Sequence, residues 1–419
     1  MTTKDLTFAI LGLGGRGGGF SHVLHAQPEL GRVVAIADPD PEKRKKIGDR
    51  HAIPADRRFE GYQALLAQPK LADVVINTLM DQLHRPSAVP ALDKGYHMLL
   101  EKPMATSLED CKAIDAARRR NNAIVSICHS MRYSVIFSEI KRLVDSGVIG
   151  DIVSLDQLEA VEHTHQSHSF VRGNWGNESR ATFMLMAKSC HDIDFIAYLI
   201  GKPCRRVSSF GSLTKFRKEN MPVGAPARCI DGCPAEASCP YSTYKLYSGP
   251  QADKTNWYSD HAGFIGKTSE ERVELLKTSP YGRCVYQCDN DVVDHQVVAF
   301  EFDAGITATF TMTALTHNGG RSIRVHGTKG DLTSYTESHI IDIHRFDDGR
   351  HDRVQLPFGV GMHGGSDLNA LRNLVDAIRT GRPDSVLTTT SESLASHTIV
   401  FAAERSRREK RMVEISDMG

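Results

Sequence analysis

The chain has 419 residues, 40% of them hydrophobic, and 51 basic residues balance 51 acidic ones. This length predicts two domains, and the balanced charge excludes a global field that would recruit nucleic acid or an anionic membrane. The sequence contains no apolar run as long as a membrane span, and no signal-peptide pattern opens it. We therefore expect a cytoplasmic protein, in which the nine cysteines do not form a disulfide framework.

Short apolar runs alternate with helix-like stretches in the first third of the chain. The runs cover residues 7–11, 33–37, 73–76, 97–100 and 123–127. The helix-like stretches include 40–50, 85–94 and 108–121. Uniformly apolar strands that alternate with helices are typical of a parallel sheet covered on both faces. This pattern predicts an N-terminal, doubly wound Rossmann domain over residues 1–128.

A glycine motif follows the first apolar run. Gly12, Gly14 and Gly17 form G-x-G-x-x-G, and Asp38 ends the second run. The glycines would allow a sharp turn, a close approach of a pyrophosphate and tight helix packing. Asp38 would bind the ribose hydroxyls and repel a 2′-phosphate, which favours NAD over NADP. Arg16, inside the motif, is counted with the cofactor-binding residues; the alternative is a Gly-rich turn with no ligand.

Glu101-Lys102-Pro103 follows the fourth apolar run. The carboxyl ends of strands line the ligand crevice of a doubly wound sheet, so Lys102 is expected near the nicotinamide end of the cofactor. Its ammonium would bind a substrate hydroxyl or stabilise negative charge on that oxygen. Pro103 is a candidate cis-proline. The alternative is a surface lysine that precedes a helix.

Longer strands follow after about residue 150. They are predicted at 151–161, 292–302, 306–314, 322–327 and 340–344, with a hairpin turn at 303–305. Helices are predicted at 184–200 and 391–411. We expect a C-terminal α/β domain over 129–419, with a large, open, mostly antiparallel sheet. Segment 215–290 is polar and Cys-rich, and it is interpreted as an insertion.

These motifs resemble those of the Gfo/Idh/MocA oxidoreductase family. The resemblance rests on the glycine motif, Asp38, Asn77 with His84 downstream, Glu101-Lys102-Pro103, Met131-Arg132-Tyr133 before 147–151, and the turns at 303–305 and 327–330. It implies a Rossmann domain and an α/β domain whose open sheet packs on another subunit, as a homodimer or homotetramer. It also implies NAD(P)-dependent oxidation or reduction of a sugar, cyclitol or related polyol. Asn77, His84 and Glu101 are implied to join Lys102 at the cofactor.

The family usually carries Asp-x-x-x-His at the start of a helix in the second domain. Here His191 matches the histidine, whereas Ala187 occupies the aspartate position. The resemblance implies that His191 is a general base, a task that suits an imidazole. Lys188 is a candidate charge or proton donor, with simple solvent exposure as the alternative. His191 could instead be a helix-start histidine bonded to backbone.

Further polar residues are candidate substrate contacts. His163 and His165 are predicted at a strand end, on one face, where they could bind sugar hydroxyls, act as acid–base groups, bind a metal or lie in a polar loop. Substrate contact is favoured over a metal, because no nearby carboxylates complete a metal site. Arg172 and Trp175 would supply hydroxyl donors and an apolar plate for a sugar ring, although the indole could simply pack in the core.

His363 and Asp367 lie in and beside a small-residue turn. We expect both to face the cleft, and we expect His363 to contact the substrate. Asp367 could instead cap the helix that follows the turn.

Cysteines cluster in the insertion. Cys229, Cys233 and Cys239, with Cys284 or Cys288, are candidate ligands of a structural zinc, because four nearby thiolates in a reducing compartment favour a metal over disulfides. An iron–sulfur cluster would use the same ligands, and free thiols in a loop are the alternative. The remaining cysteines are expected to be ordinary buried residues: Cys111, Cys128, Cys190 and Cys204.

Taken together, these features predict an NAD-dependent oxidoreductase that transfers hydride between a nicotinamide and a carbinol carbon of a sugar or polyol. Two alternatives remain. One is a glycosidase that retains its NAD and works by oxidation, elimination, addition and reduction on a glycoside. The other is a non-catalytic NAD-binding regulator.

Overall fold

The structure is a computed structural model of the whole chain, and it describes residues 5–249, 252, 258–259, 262–264 and 266–419. Two β-sheets organise the described residues, one of six strands and one of nine. In these residues, no helix combines the length and the apolar character that crossing a bilayer requires.

The first sheet is a parallel Rossmann sheet in the order β3-β2-β1-β4-β5-β6. Its strands are β1 (Thr7–Leu11), β2 (Arg32–Ala37), β3 (Arg58–Phe59), β4 (Val74–Asn77), β5 (His97–Leu100) and β6 (Val125–Ile127). Its helices are α1 (Gly15–Ala26), α2 (Pro41–Arg50), α3 (Tyr62–Ala67), α4 (His84–Asp93) and α5 (Leu108–Arg120). The doubly wound fold is confirmed; the sequence pattern missed only the two-residue β3.

The second sheet has the order β14-β13-β12-β11-β7-β10-β9-β8-β15. Only β7 and β10 pair in parallel, so the prediction of a mostly antiparallel sheet is confirmed. Its strands are β7 (Ile152–Ala160), β8 (Cys204–Ser212), β9 (His295–Phe302), β10 (Thr307–Thr313), β11 (Gly320–Gly327), β12 (Gly330–Tyr335), β13 (Ile340–Arg345), β14 (His351–Gln355) and β15 (Val413–Glu414).

Helices of the second half flank this sheet and also reach the first one. They are α6 (Val135–Asp145), α7 (His163–Ser167), α8 (Met184–Ala187), α9 (Cys190–Ile200), α10 (Thr243–Tyr247), α11 (Ser269–Leu276), α12 (Ser366–Thr380) and α13 (Thr390–Glu409). The continuous helix predicted over 184–200 is therefore wrong. It breaks between α8 and α9, which places Lys188 and Ser189 at a bend.

The C-terminal part of the chain packs onto the Rossmann sheet. Leu371, Leu374 and Val375 of α12 share a buried cluster with Phe8 and Ile10 of β1. α3, α4 and α5 cover the opposite face of the sheet. α13 contacts both halves of the chain, since its Phe401 packs against the buried clusters beside both sheets. Loops from both halves meet at the carboxyl ends of β1, β4 and β5. The predicted domain boundary near residue 128 stays a prediction.

Candidate active site

The glycine turn after β1 has the shape that a dinucleotide pyrophosphate requires. Gly12 has φ +83°, and a Cβ there would lie 2.7 Å from the Thr78 carbonyl oxygen. A Cβ on Gly17 would lie 1.9 Å from the Gly12 oxygen, so only glycine lets α1 pack on the turn. A Cβ on Gly14, the N-cap of α1, would meet nothing within 4 Å. The second glycine therefore leaves open space at a helix N-terminus, where an anion binds well.

Asp38 stands directly beside this turn. It follows β2 and is 7% exposed. Its Oδ2 accepts a hydrogen bond from the Leu13 amide at 2.6 Å, and its Oδ1 accepts one from the Asp40 amide at 2.8 Å. These two bonds fix the carboxylate at the edge of the glycine turn. This is the position from which an acidic residue reaches a ribose in a Rossmann fold.

Asn77 and His84 hold the neighbouring loops together. Asn77, at the end of β4, is fully buried and donates to Ser87 Oγ at 2.7 Å. The His84 ring nitrogens lie 2.7 Å from the Pro103 carbonyl oxygen and 3.0 Å from the Leu79 carbonyl oxygen. Both side chains were predicted at the cofactor; in the structure Asn77 bonds to α4, and His84 joins the β4 loop to the β5 loop.

Arg16 links the glycine turn to the C-terminal part of the chain. Its Nε donates to Glu101 Oε1 at 2.6 Å, and its two terminal nitrogens donate to Asp367 at 2.7 and 2.8 Å. His363 Nδ1 lies 3.0 Å from both Arg16 Nη1 and Asp367 Oδ2. Asp367 makes no capping bond, because the N-cap of α12 is Gly365. Arg16, predicted as a cofactor ligand, thus bridges two carboxylates.

Lys102 crosses from the Rossmann domain to the second domain. Its ammonium donates to the Ala187 carbonyl oxygen at 2.7 Å, and the Lys102–Pro103 peptide bond is cis, as predicted. Ala187 occupies the position where the family pattern has an aspartate. Lys102 is therefore held by the backbone oxygen of the residue that lacks the family carboxylate.

His191 lies four residues further along, in the first turn of α9. Its Nδ1 is enclosed and has no hydrogen-bond partner among the described residues. Burial lowers the pKa of His191 well below 6.5, and the nearby charge of Lys102 lowers it further. At neutral pH the ring is an uncharged imidazole beside an ammonium, which is a suitable state for a general base.

Lys188 belongs to a buried group of charges behind His191. Its ammonium lies 3.1 Å from Glu159 Oε1, and Arg321 donates to Glu159 and to Asp192, each at 2.7 Å. Ser189 Oγ donates to the other Glu159 oxygen at 2.7 Å. Burial opposes ionisation of Glu159, but Arg321 and Lys188 hold the pKa of that carboxyl well below its usual range. Lys188 is therefore not a simple solvent-exposed lysine, which was the alternative interpretation of the sequence.

The helical turn α7 corrects the prediction for His163 and His165. The predicted strand ends at Ala160, and two residues on a helix point roughly 200° apart, so the two rings do not share a face. Burial lowers the pKa of His165, and the charges of the nearby Lys188 and Lys102 lower it further. His163 instead packs edge-on against Tyr241 of the insertion, with ring centroids 5.5 Å apart.

Trp175 brings an unpredicted carboxylate to the crevice. Its indole Nε1 donates to Asp81 Oδ2 at 3.2 Å. Asp81 follows β4 and is 5% exposed; burial raises its pKa, whereas the nearby His84 and Lys102 charges oppose the rise. The sequence offered a signal, because Asp81 lies between Asn77 and His84 in the loop where the resemblance implied cofactor contacts.

Arg172 does not join this group. Its Nε donates to the Arg283 carbonyl oxygen and its Nη2 to the Tyr241 carbonyl oxygen, both at 2.7 Å. The side chain is 1% exposed, and Nη2 lies 3.9 Å from Cys229 Sγ. The guanidinium is thus directed into the Cys-rich insertion, so the structure does not support the predicted substrate contact.

A second histidine behind His191 was missed by sequence reasoning. His129 is fully buried after β6, and its ring lies 5.8 Å from that of His191, edge to face. Its Nε2 is 3.8 Å from Asp194, which also accepts a two-pronged hydrogen bond from Arg132. Burial lowers the pKa of His129 to about 4, so this neighbour does not add a full charge at neutral pH.

The structure corrects one of the two predictions made for the cysteines. All nine cysteines are free thiols, and the four expected in the core are buried. In the described part of the chain, no three His, Cys, Asp or Glu side chains are arranged to hold a metal ion, so the zinc or iron–sulfur site predicted from Cys229, Cys233, Cys239 and Cys284 is not formed by these positions. The four thiols nevertheless line one small cavity.

Comparisons with known proteins agree with this geometry. YteT of Bacillus subtilis (strain 168) is 22% identical over 309 residues, 72% of this chain and 70% of that protein. The inositol 2-dehydrogenase/D-chiro-inositol 3-dehydrogenase of Lactiplantibacillus plantarum is 23% identical over 218 residues, which span 52% of this chain and 59% of that protein. Levoglucosan dehydrogenase in complex with NADH has the same fold, with a TM-score of 0.71, 17% identity, and coverage of 98% and 99% of the two chains.

Two family models cover most of the chain. An oxidoreductase family described as an NAD-binding Rossmann fold matches residues 6–129, and the C-terminal alpha/beta domain of the same oxidoreductase family matches residues 141–415. The glycine turn and Asp38 lie within the first match, and the nine-stranded sheet lies within the second. The chain therefore belongs to the Gfo/Idh/MocA family of NAD-binding oxidoreductases.

Proposed function

We propose that this chain is an NAD-dependent dehydrogenase that acts on a carbinol carbon of a sugar or polyol. The observation that carries the proposal is the meeting of Lys102 with the Ala187–His191 segment. An ammonium fixed on a backbone oxygen and a neutral imidazole lie together where the β5 loop meets α9. The pair provides one donor and one base for a hydroxyl group.

Each residue of the proposed site has its own role in the reaction. NAD, which the glycine turn and Asp38 would hold, would supply the acceptor for the hydride of the carbinol carbon. Lys102 donates to the substrate oxygen and stabilises the negative charge that develops there. His191 takes the hydroxyl proton at Nε2, since Nδ1 is enclosed. Asp81 and His165 lie near Lys102 and are candidate contacts for further hydroxyls, whereas Lys188 is paired with Glu159.

The named relatives support this substrate class. The Lactiplantibacillus plantarum protein is an inositol dehydrogenase, and levoglucosan dehydrogenase binds NADH in its solved structure. Both names describe the oxidation of a carbinol in a polyhydroxylated ring. The glycosidase alternative has no observation of its own in its favour.

The test is a screen of cyclitols, aldoses, anhydrosugars and aryl glycosides with NAD, followed by the absorbance of NADH. Net NADH formation with at least one free sugar or cyclitol is expected. Release of the aryl group without net NADH would replace the dehydrogenase with the glycosidase. Retention of NAD without turnover of any member of the screen would favour the regulator.

Asp38→Ala is expected to weaken NAD binding about 10- to 100-fold, because the carboxylate loses charge-assisted hydrogen bonds to the ribose. NADP binding should weaken less, since its 2′-phosphate is repelled by the same carboxylate. Calorimetric titration with each nucleotide measures both. Asp40→Ala is the matched control, because Asp40 caps α2 with its side chain and does not hold the glycine turn. Equal losses for both nucleotides would contradict the ribose role of Asp38.

Self-association through the open sheet is also proposed. The pairing register aligns Phe210, Val297, Leu158 and Tyr335 in one row across the sheet, and they are 66%, 38%, 36% and 43% exposed. Thr311 and Ser322 lie between these positions in the row. Four exposed apolar side chains in one row across a sheet are typical of an interface. Phe210→Asp should lower the mass measured by light scattering, whereas Phe346→Asp, at a 63% exposed residue outside the row, should not. A monomeric wild-type protein would refute this part of the proposal.

A further inference from the structure

The Cys-rich insertion brings four thiols to one point. Cys229, Cys233, Cys239 and Cys284 line a single cavity of about 10 Å³. Cys288 does not line it, and its thiol donates to the Cys284 carbonyl oxygen at 3.3 Å. The sequence left open whether Cys284 or Cys288 is the fourth thiol of the group, and the structure favours Cys284.

The backbone holds these thiols in place from two distant parts of the chain. An antiparallel bridge joins Arg228 to Arg283, next to Cys229 and Cys284. The Cys284 amide donates to the Ala227 oxygen at 2.8 Å, and the Cys229 amide donates to the Gly282 oxygen at 3.2 Å. Because these bonds do not involve the side chains, each thiol can rotate about its Cα–Cβ bond without disturbing the bridge.

The other two thiols lie on one tight turn. The Glu236 amide donates to the Cys233 oxygen at 3.1 Å, and the Cys239 amide donates to the Ala235 oxygen at 2.8 Å. This turn fixes the short spacing between Cys233 and Cys239. The cavity thus receives two sulfurs from the turn and two from the bridge.

A buried positive charge faces the same place. The Arg172 side chain is 1% exposed, its Nη2 lies 3.9 Å from Cys229 Sγ, and its Nη1 has no hydrogen-bond partner among the described residues. Its Nε and Nη2 donate to the carbonyl oxygens of Arg283 and Tyr241. Burial raises the pKa of the neighbouring Tyr247 phenol, so it provides no counter-charge. A buried guanidinium beside a thiol favours the thiolate form of that sulfur.

We propose that Cys229, Cys233, Cys239 and Cys284 bind one zinc ion as thiolates, and that Arg172 is the buried counter-ion of this site. Four thiols release four protons to solvent as they bind Zn²⁺, and the resulting tetrathiolate carries two negative charges. As they stand, the described side chains do not form a metal site, so binding requires the four thiols to rotate into the cavity. Tetrahedral coordination by four sulfurs matches the two pairs of ligands.

The site would stabilise the segment that borders the catalytic crevice. The buried core around the cysteines is small, with Val171, Phe216, Tyr241, Val285 and Tyr286 beside Cys284. Arg172 ends a π-helical turn, His168–Arg172, that continues directly from α7 with its His165. Zinc would therefore order the insertion and, through Arg172, the turn that presents His165 and Trp175.

The first experiment measures metal in the full-length protein, purified without added metal, chelator or a metal-affinity column. Elemental analysis is expected to give about one zinc per chain. Cys229→Ser and Cys284→Ser should lose this zinc, and Cys288→Ser and Cys204→Ser are the matched controls that keep it. Absence of zinc, iron with inorganic sulfide in its place, or equal loss of zinc in Cys284→Ser and Cys288→Ser would overturn the proposal.

The second experiment needs no cysteine variant, so a folding failure cannot mask the outcome. Cobalt exchanged into the wild-type protein should show the visible bands and the sulfur-to-cobalt charge transfer of tetrahedral thiolate coordination. Arg172→Gln should lower zinc affinity about 10- to 100-fold in competition with a chelator, as loss of an outer-shell partner does, and Arg172→Lys should restore most of it. A cobalt spectrum without thiolate bands would overturn the site, and unchanged affinity in Arg172→Gln would overturn the role of Arg172.

Discussion

His191→Asn lowers kcat for oxidation of the best substrate about 100- to 10,000-fold, the range expected for loss of a general base. Asparagine keeps a polar group of similar size but cannot take a proton. The dissociation constant for NAD should not change, because the bonds that fix the glycine turn and Asp38 do not involve His191. Steady-state kinetics and calorimetric titration of the same preparation measure the two quantities.

The assignment of His191 as the general base also predicts how kcat/KM depends on pH. Burial and neighbouring charges lower the pKa of His191 below 6.5, so the free base is already present at neutral pH. For the wild-type protein, kcat/KM for oxidation should stay level through neutral pH and fall only when the pH drops below this lowered pKa. An ionisation at or above 6.5 that disappears in His191→Asn would contradict the environment described here.

A matched control separates this role from a general sensitivity to histidine replacement. His22→Asn removes an exposed ring on α1, far along the helix from the glycine turn, and should leave kcat unchanged. If His191→Asn kept more than about a tenth of the wild-type kcat, His191 would not be the base. His165 or Asp81 would then be the next candidate, since each lies near Lys102.

The Rossmann half of the fold could be predicted because its signals are local. Each of its longer strands is a continuous apolar run, and the glycine motif lies directly between β1 and α1. The strands that escaped prediction lack such runs. β14 is an edge strand whose residues are almost all exposed, and β8 carries Arg205 and Arg206 on a strand of mixed burial. Polar side chains on an open sheet obscure the alternation of polar and apolar residues by which a strand is recognised in a sequence.

The residues of the candidate site could be predicted where they lie in a sequence motif. Contacts between residues far apart in the sequence could not be predicted. Lys102 and His191 were found from their motifs, and the structure brings both to one crevice. Glu159 and Arg321 are 162 residues apart and pair only because β7 and β11 are neighbours in the sheet. Arg172 was misjudged for the same reason, since nothing near it in sequence indicates that it contacts the insertion.

Glu159→Gln should lower the free energy of unfolding by about 3 kcal/mol, near the lower end of the effect of breaking a buried ion pair. The amide leaves Lys188 without a counter-charge and removes one of the two carboxylates that face Arg321. Urea unfolding at neutral pH measures the difference. Glu409→Gln is the control, because its pair with Arg405 is about 40% exposed and should contribute less than about 1 kcal/mol.

The pH dependence of this difference identifies its cause. The folded-state pKa of Glu159 lies below the ordinary 4.5, so ionisation stabilises the fold above pH 4.5 and this contribution is lost as the pH falls through the lowered folded-state pKa. The difference in the free energy of unfolding between wild type and Glu159→Gln should therefore be constant at neutral pH and become smaller as the pH falls. A gap that persists unchanged into acid would mean that the substitution acts through packing and not through the charges of Lys188 and Arg321.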